Sequence, residues 1–370
     1  MTRREFVPGV FSAAAAAPRH YRVALIGHTG HGNYGHDWDM AWNGFAQVEV
    51  VAVADPVEDG RAKAMQRSRA RKGYADYREM LRVEKPDIVA ICPRMLDERV
   101  PMVTAAAGAG AHILMEKPLA RNLAEADQIV EIVERRKLKL LVGHPARPLG
   151  VTQAALRLLR AGELGQLQEI RARGKEDKRA GGEDLIVLGT HCFDLMRLFA
   201  GDPEWVFASF REKGRDCTPA MEHEGTESIG RIAGDDIGAM FRFTGGVPGY
   251  FASKRSDVMD GHRFGVTLYG SKALLYVPLS DVPSAPPYLL RGTTWAGGQW
   301  ERIDYPPGTA LDGRIGSNAV MAADLMRAIE TGQDPVCSAR DARWTIEMIA
   351  GMYQSHYGQS QVRFPLAKRS

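Results

Sequence analysis

Two stretches of the chain combine residue types and spacings that could do chemistry. The first is Gly30-His31-Gly32-Asn33-Tyr34-Gly35, a G-x-G-x-x-G run that follows the apolar segment "YRVALIG", with Gly27 just before it. Glycines at this spacing let a pyrophosphate approach bare backbone at a helix N-terminus, where unpaired N–H groups and the helix dipole favour an anion. Asp55 ends "VVAVAD" twenty residues past Gly35, a distance at which a carboxylate accepts hydrogen bonds from ribose hydroxyls. Loop and acid together predict a bound dinucleotide. Because Asp55 would repel a 2′-phosphate, NAD is expected in preference to NADP.

The second stretch is "GGEDLIVLGTHCFDLMRLFAG", residues 181 to 201. His191 is its one histidine, and Leu188, His191, Leu195 and Leu198 share a stripe at helical spacing, which predicts one buried helix. Glu183 and Asp184 precede the histidine and Asp194 follows it. Such a histidine is either a satisfied core residue or a general base, and the helix by itself leaves both open. The glycine loop adds His28, His36, Asp37 and Asp39. No spacing among them fixes a coordination geometry, so they read as polar groups around phosphates, and no metal is expected.

The elements that must position these groups are regular from Tyr21 onward. "YRVALIG", "VEVVAVAD", "PDIVAIC", "AHILMEKP" and "LKLLVGHP" read as buried strands, alternating with helical stretches such as "AEADQIVEIVERRK". This alternation predicts a parallel α/β sheet with ligands at the carboxyl ends of its strands. Beyond about residue 150 the runs partly alternate and are separated by turn residues, as in "DIGAMFRFTGGVPGYFASKR", which predicts an antiparallel sheet. Two amphipathic helices close the chain. The expected division is residues 21–148 for a dinucleotide-binding domain and 149–370 for an α+β domain carrying substrate and oligomer contacts, with the closing helices free to pack back on the first.

The whole chain bounds the function classes. Its 370 residues suffice for two substantial cores. Forty-eight basic and forty-five acidic residues leave a formal charge of +3 with no like-charged block, so neither nucleic acid nor a membrane surface is an expected partner. A small molecule is. Cys92, Cys192, Cys217 and Cys337 are far apart and form no C-x-x-C pair, which argues against a disulfide framework or zinc site. At the start, Arg3 and Arg4 precede Phe6 and a short weakly apolar segment with A-x-A sites around Ala15 and Ala17, an order similar to a twin-arginine export signal. Pro8 and Gly9 weaken it, leaving a disordered basic leader in a cytoplasmic protein as the alternative for residues 1–20.

With "MEKPLA" at residues 115 to 120 the chain resembles the glucose-fructose oxidoreductase and inositol dehydrogenase family (Gfo/Idh/MocA). The resemblance runs from residue 21 to about 367 and includes the glycine loop, Asp55, "AICPR", Glu116-Lys117-Pro118, "GTHCFD" and "VTLYGSKALLYV". It implies a Rossmann domain followed by an α+β domain with an open antiparallel sheet, a homo-oligomer formed through that sheet, NAD contacts that include Cys92, Pro93 and Glu116, and hydride transfer at a secondary hydroxyl of a sugar, polyol or glycoside. Lys117 would touch the reacting hydroxyl and the nicotinamide ribose. The physical case agrees, because a cation beside a developing alkoxide lowers its cost. The same resemblance makes His191 the general base and marks His144 and Arg147 in "GHPARP" as substrate contacts, although an interdomain ion pair suits Arg147 equally.

One departure stands out. The family usually carries an aspartate four residues before this histidine, and here that residue is Val187. Asp184 lies seven residues before His191, about 20° around an ideal helix and roughly 10 Å along it, so both could touch one bound sugar. Asp184 is therefore expected to take over part of the acid's role, with Lys175, Glu183 and Asp194 as further substrate-facing groups. Two other readings stay open. One is a redox-neutral glycoside-cleaving enzyme with tightly held NAD, and the other a nucleotide-dependent sensor that has lost catalysis.

Overall fold

The computed structural model describes residues 19–257, 263–279, 287–292, 298–304 and 313–367. Residues 1–18 of the expected leader lie outside them. Six strands, β1 (Tyr21–Ile26), β2 (Val48–Ala54), β3 (Lys72–Tyr74), β4 (Ile88–Ile91), β5 (His112–Met115) and β6 (Leu140–Val142), form a parallel sheet in the order 3-2-1-4-5-6. β4 is buried at every residue and β1 at all but Arg22, as strands covered on both faces must be. Helices α1 (Glu58–Ser68), α2 (Tyr77–Glu84), α3 (Arg99–Gly108) and α4 (Leu123–Arg135) lie between the strands. In α4 the side chain of Asn122 caps the first turn by accepting from Glu125 N, and Leu123, Ala126, Ile129 and Val133 turn one face inward.

The first crossover departs from expectation. Between β1 and β2 the chain makes a series of turns whose only helical element is a 3-10 turn at Trp38–Met40. The glycine loop therefore does not open onto an α-helix, and the dipole argument for phosphate binding does not apply. The residues explain the difference. Gly30, Gly32, Gly35, Asn33 and Asp37 all take positive φ, which an α-helix cannot hold. Tyr34, Trp38 and Trp42 then pack inward as a buried aromatic wedge.

After α5 (Gly150–Arg160) the chain enters a second sheet through β7 (Leu167–Arg173), then passes through α6 (Gly182–Val187) and α7 (Gly189–Ala200). Strands β8 (Pro203–Glu212), β9 (Arg215–Asp216), β10 (His223–Glu224), β11 (Arg231–Ile232), β12 (Asp236–Phe243), β13 (Val247–Lys254), β14 (Gly265–Gly270), β15 (Ala273–Pro278), β16 (Tyr288–Arg291) and β17 (Trp300–Arg302) follow. Helices α8 (Gly313–Thr331) and α9 (Ala339–Gly358) and strand β18 (Val362–Arg363) close the fold. The large sheet runs 17-16-15-14-7-13-12-8-18, with β9 on β8 and the β10–β11 hairpin apart from it. It is mixed rather than antiparallel throughout, because β7 pairs parallel with β13 while β14 flanks β7 antiparallel.

The closing helices pack back on the first domain. Met321, Ala322, Leu325 and Met326 of α8 fill the core on one face of the parallel sheet. Ala339, Ala342 and Ile346 of α9 join the core on the other. Met348, Ile349 and Met352 of the same helix belong to the core of the second domain, so α9 ties the two together.

Candidate active site

The loops leaving β4, β5 and β6 meet the α6–α7 junction across a cleft of about 1000 Å³, counted to its open mouth. The first domain contributes His36, Trp38, Arg94, Glu116, Lys117 and Gly143 to its walls. The second contributes Lys175, Arg179, Val187, Leu188, His191, Glu227 and Phe264, and α8 adds Asn318. This is the edge where an open α/β sheet binds its ligands.

Residues 181–201 do not form one helix. Leu188 takes φ −122° and ψ −34°, breaking the run into α6 and α7, so the ideal-helix relation between Asp184 and His191 does not hold. The break frees the carbonyl of Val187, which accepts the Lys117 ammonium at 3.0 Å. Lys117 is buried, and the bond to Pro118 is cis. Burial pushes its ammonium below the usual lysine range, while Glu116 and Glu227 push back. His191 lies in the first turn of α7 and faces the same cleft. Among the described residues its ring makes no hydrogen bond, and it packs against Phe264 and edge-on against His144 at 5.0 Å. Burial, with the charges of His144, Lys117 and His36, holds it well below the usual imidazole range, so it is a neutral base at physiological pH.

Glu116 is the brace beneath Lys117. Its carboxylate accepts from His36 Nδ1, from Trp38 Nε1 at 2.7 Å and from Lys117 N at 3.1 Å. Burial alone would raise this carboxyl, but the His36 charge and hydrogen bond, with Lys117 and Trp38, hold it at about 2. Arg99, buried under the loop, donates to Glu116 O at 2.8 Å and Pro93 O at 3.1 Å, joining the ends of β4 and β5. Arg94 ends "AICPR" with no role assigned to it from sequence, and no local motif marks Arg99, Trp38 or Arg179. The close spacing of Trp38 and Trp42 was the available signal for a buried aromatic wedge.

Several expected site residues lie elsewhere. Asp184 is fully buried behind the cleft wall, accepting from Ser253 Oγ at 2.6 Å and from Lys175 N and Glu176 N at 3.3 and 3.2 Å. It does not line the cleft and cannot replace the missing acid. Glu183 accepts from Thr226 Oγ1 at 2.5 Å, outside the cleft. Asp194 and Arg147 form the interdomain pair: Arg147 Nε and Nη2 reach the two Asp194 carboxylate oxygens at 2.9 and 2.7 Å, which removes both from substrate contact. His144 is buried beneath His191 rather than in the cleft, with Nδ1 3.3 Å from Cys337 Sγ, and burial lowers it to about 4. Donor atoms of His144, Asp194 and Cys337 lie within 4.8 Å of one another, but Arg147 already holds Asp194 there. Lys175 alone of the expected substrate side chains from the second domain, apart from His191, lines the cleft.

At the cofactor loop the glycines are needed. A Cβ on Gly32 would meet Arg94 N at 2.5 Å, and one on Gly35 would meet Cys92 O at 2.4 Å, so both let the loop lie against the end of β4. Asn33 Oδ1 accepts from Gly30 N, and His31 pairs with Asp97 at 2.9 Å. The Cys92 thiol belongs to the core and donates toward Ala90 O, so only backbone is offered there. Asp55 also differs from expectation. It is fully buried, and its carboxylate accepts from Thr29 N at 3.0 Å, Thr29 Oγ1 at 2.7 Å, Tyr34 OH at 2.9 Å and Val57 N at 2.9 Å. Those bonds fill the four acceptor positions of a carboxylate. Tyr34 also lies over Gly27, where an added Cβ would sit 2.2 Å from its ring. The residues fit a dinucleotide at its nicotinamide end, where Lys117, Glu116 and Gly143 edge the open cleft. A ribose at Asp55 would have to take the place of the Tyr34 or Thr29 hydroxyl.

Comparison with known proteins agrees with this architecture. Residues 21–144 match the oxidoreductase family with an NAD-binding Rossmann fold, and residues 152–276 match the GFO/IDH/MocA C-terminal domain. D-apiose dehydrogenase of Paraburkholderia graminis is 30% identical over 203 residues, 52% of this chain and 53% of that protein. Myo-inositol 2-dehydrogenase of Thermotoga maritima is 24% identical over 236 residues, 61% of this chain and 67% of that protein. The chain thus aligns with about half to two thirds of these relatives. A levoglucosan dehydrogenase solved with NADH and levoglucosan superposes with a TM-score of 0.76 at 18% identity, covering 94% of this chain and 100% of the other, a likeness of fold. Both domain matches lie in one order on one chain, and the chain belongs to the GFO/IDH/MocA family of NAD-binding oxidoreductases.

Proposed function

We propose that this protein is an NAD-dependent dehydrogenase that oxidises a secondary hydroxyl of a sugar or polyol. The observation that carries the reading is the pairing of a buried lysine, Lys117, with a neutral histidine, His191, on facing walls of one cleft. NAD, when bound, supplies the hydride acceptor. His191 accepts the hydroxyl proton, and the Lys117 ammonium stands beside the oxygen on which negative charge develops. Phe264, Leu188 and Trp38 supply apolar surface to the cleft wall. The names of the relatives support a carbohydrate substrate. A carboxylate at position 55, which would repel a 2′-phosphate, supports NAD over NADP.

The engagement of Asp184 and Glu183 away from the cleft supports net oxidation over redox-neutral cleavage, which needs a second proton-transfer group. A silent sensor would have little use for a desolvated lysine beside a neutral histidine. Export through the arginine-containing leader is part of the same proposal, as is self-association through the second sheet, whose strand β8 leaves Phe207 49% exposed. Incubation of the purified protein with NAD and a panel of sugars and polyols tests the activity. NADH and an oxidised sugar in equal amounts are expected, and aglycone release without NADH would favour the redox-neutral enzyme.

A further inference from the structure

The cleft holds a carboxylate that the reaction above does not use. Glu227 belongs to a 3-10 turn, Thr226–Ser228, inside the excursion between β9 and β12 that also carries the β10–β11 hairpin. Glu227 and Ser228 both take φ of 54°, a left-handed conformation that L side chains rarely adopt and that persists only where the surroundings enforce it. They do so here. The carbonyl of Glu227 accepts from Leu96 N at 3.2 Å in the first domain, and the preceding Thr226 is held by Glu183. The strained turn thus spans the two domains and aims one side chain into the cleft.

That side chain is under-used. Glu227 Oε1 lies 3.4 Å from Arg94 Nη1, a long ion pair, and Oε2 is buried with no hydrogen-bond partner among the described residues. Arg94 Nε is likewise buried and without a partner among the described residues. A carboxylate offers about four acceptor positions, and buried polar groups in folded proteins are almost always satisfied by protein, water or ligand. Its charge acts on Lys117 and Arg179, which line the same cleft. The Arg94 and Glu227 side chains keep 38% and 18% of their surface exposed where they line the cleft, so their accessible atoms present a donor and an acceptor to neighbouring hydroxyls, and the buried Nε and Oε2 become reachable if the pair shifts.

We propose that Glu227 is the substrate-binding carboxylate of this cleft, accepting hydrogen bonds from vicinal hydroxyls of the sugar and providing the negative group that position 187, a valine, does not. The inference rests on reading the cleft as a sugar dehydrogenase site. Glu183 and Asp184, the nearby acids on α6, are spoken for, which leaves this one from a distant part of the sequence.

The test compares wild type, Glu227→Gln and Glu227→Asp, each as the full chain with NAD, on a sugar oxidised by the wild type and on its deoxy analogues. The glutamine variant is expected to lose about 10-fold or more in kcat/KM, the scale of one hydrogen bond to a charged group, with NAD affinity and Tm unchanged. One deoxy analogue should be penalised in the wild type and carry no further penalty in the variant, a coupling that a purely structural role would not produce. The aspartate variant, which retains the charge, should show an intermediate loss, and it carries the comparison if the glutamine variant does not fold. Equal kcat/KM, a parallel loss of NAD affinity, or identical deoxy penalties in wild type and variants would overturn the proposal while leaving the dehydrogenase reading intact. A wild type inert on every sugar defeats the dehydrogenase reading itself.

Discussion

The Lys117 ammonium donates to the backbone carbonyl of Val187 at 3.0 Å, at the point where α6 breaks and α7 begins. A carbonyl orients the ammonium without neutralising it. The kink at Leu188 is what makes that carbonyl available, and the same kink points His191 into the cleft. The valine that replaces the family's usual acid therefore still serves the site, through its backbone.

The electrostatics of this pair predict a pH profile. His191 must be neutral to accept a proton, and its surroundings disfavour the charged form, so the acid limb of kcat/KM should fall below 6.5, the ordinary imidazole value. Lys117 must be charged, and burial lowers it, so the alkaline limb should begin below 10.5. Measured kcat/KM against pH should thus show its acid limb below pH 6.5 and its alkaline limb starting below pH 10.5. An acid limb above pH 6.5 would contradict the environment assigned to His191.

Asp184 separates structural from catalytic roles. Asp184→Ala removes the acceptor for Ser253 Oγ and two backbone N–H groups and should cost about 1–3 kcal/mol of stability, read as a lower Tm. At temperatures where the variant is folded, kcat should stay within a few-fold of wild type. Abolished turnover with an unchanged Tm would restore Asp184 to the reaction.

The Arg147–Asp194 pair is buried and bidentate, so breaking it should be expensive. Arg147→Met leaves Asp194 in the interdomain core without its cation, and a loss of about 3–5 kcal/mol is expected from denaturant unfolding. Pairing Arg147→Met with Asp194→Leu should recover much of it, because two apolar groups leave no uncompensated charge. A single variant as stable as wild type would show that the pair does not hold the domains.

Tyr34 controls access to Asp55. Tyr34→Phe removes one of the hydroxyls that fill the carboxylate, so NAD should bind as well as or more tightly than to wild type, by titration calorimetry. A marked weakening would mean that the Tyr34 hydroxyl itself contacts the cofactor.

Sequence patterns carried most of the fold and part of the site. The buried strands were readable because a strand covered on both faces must be apolar throughout, as "IVAI" in β4 is, and Lys117 and His191, singled out within their motifs, both line the cleft. What escaped was long-range or backbone in origin. The missing helix after the glycine loop depends on five residues with positive φ, and helical periodicity passes across Leu188 without marking the break. Asp184 and Asp55 had the right residue type in plausible places, but Ser253 and Tyr34 claim them, and no local pattern announces such partners. Arg147 was open between substrate and ion pair, and only its distance to Asp194 decides. Glu227 sits in a turn-rich excursion with no periodicity to read.

The most direct test of the account is the rate of NADH formation on the substrate found in the sugar panel, compared between wild type, Lys117→Ala and His191→Ala. Each variant should lose about 100-fold or more in kcat while still binding NAD, the scale expected for removing a proton-transfer or charge-stabilising group. Unchanged rates in both would contradict the central claim that these two residues, facing each other across the cleft, carry the chemistry.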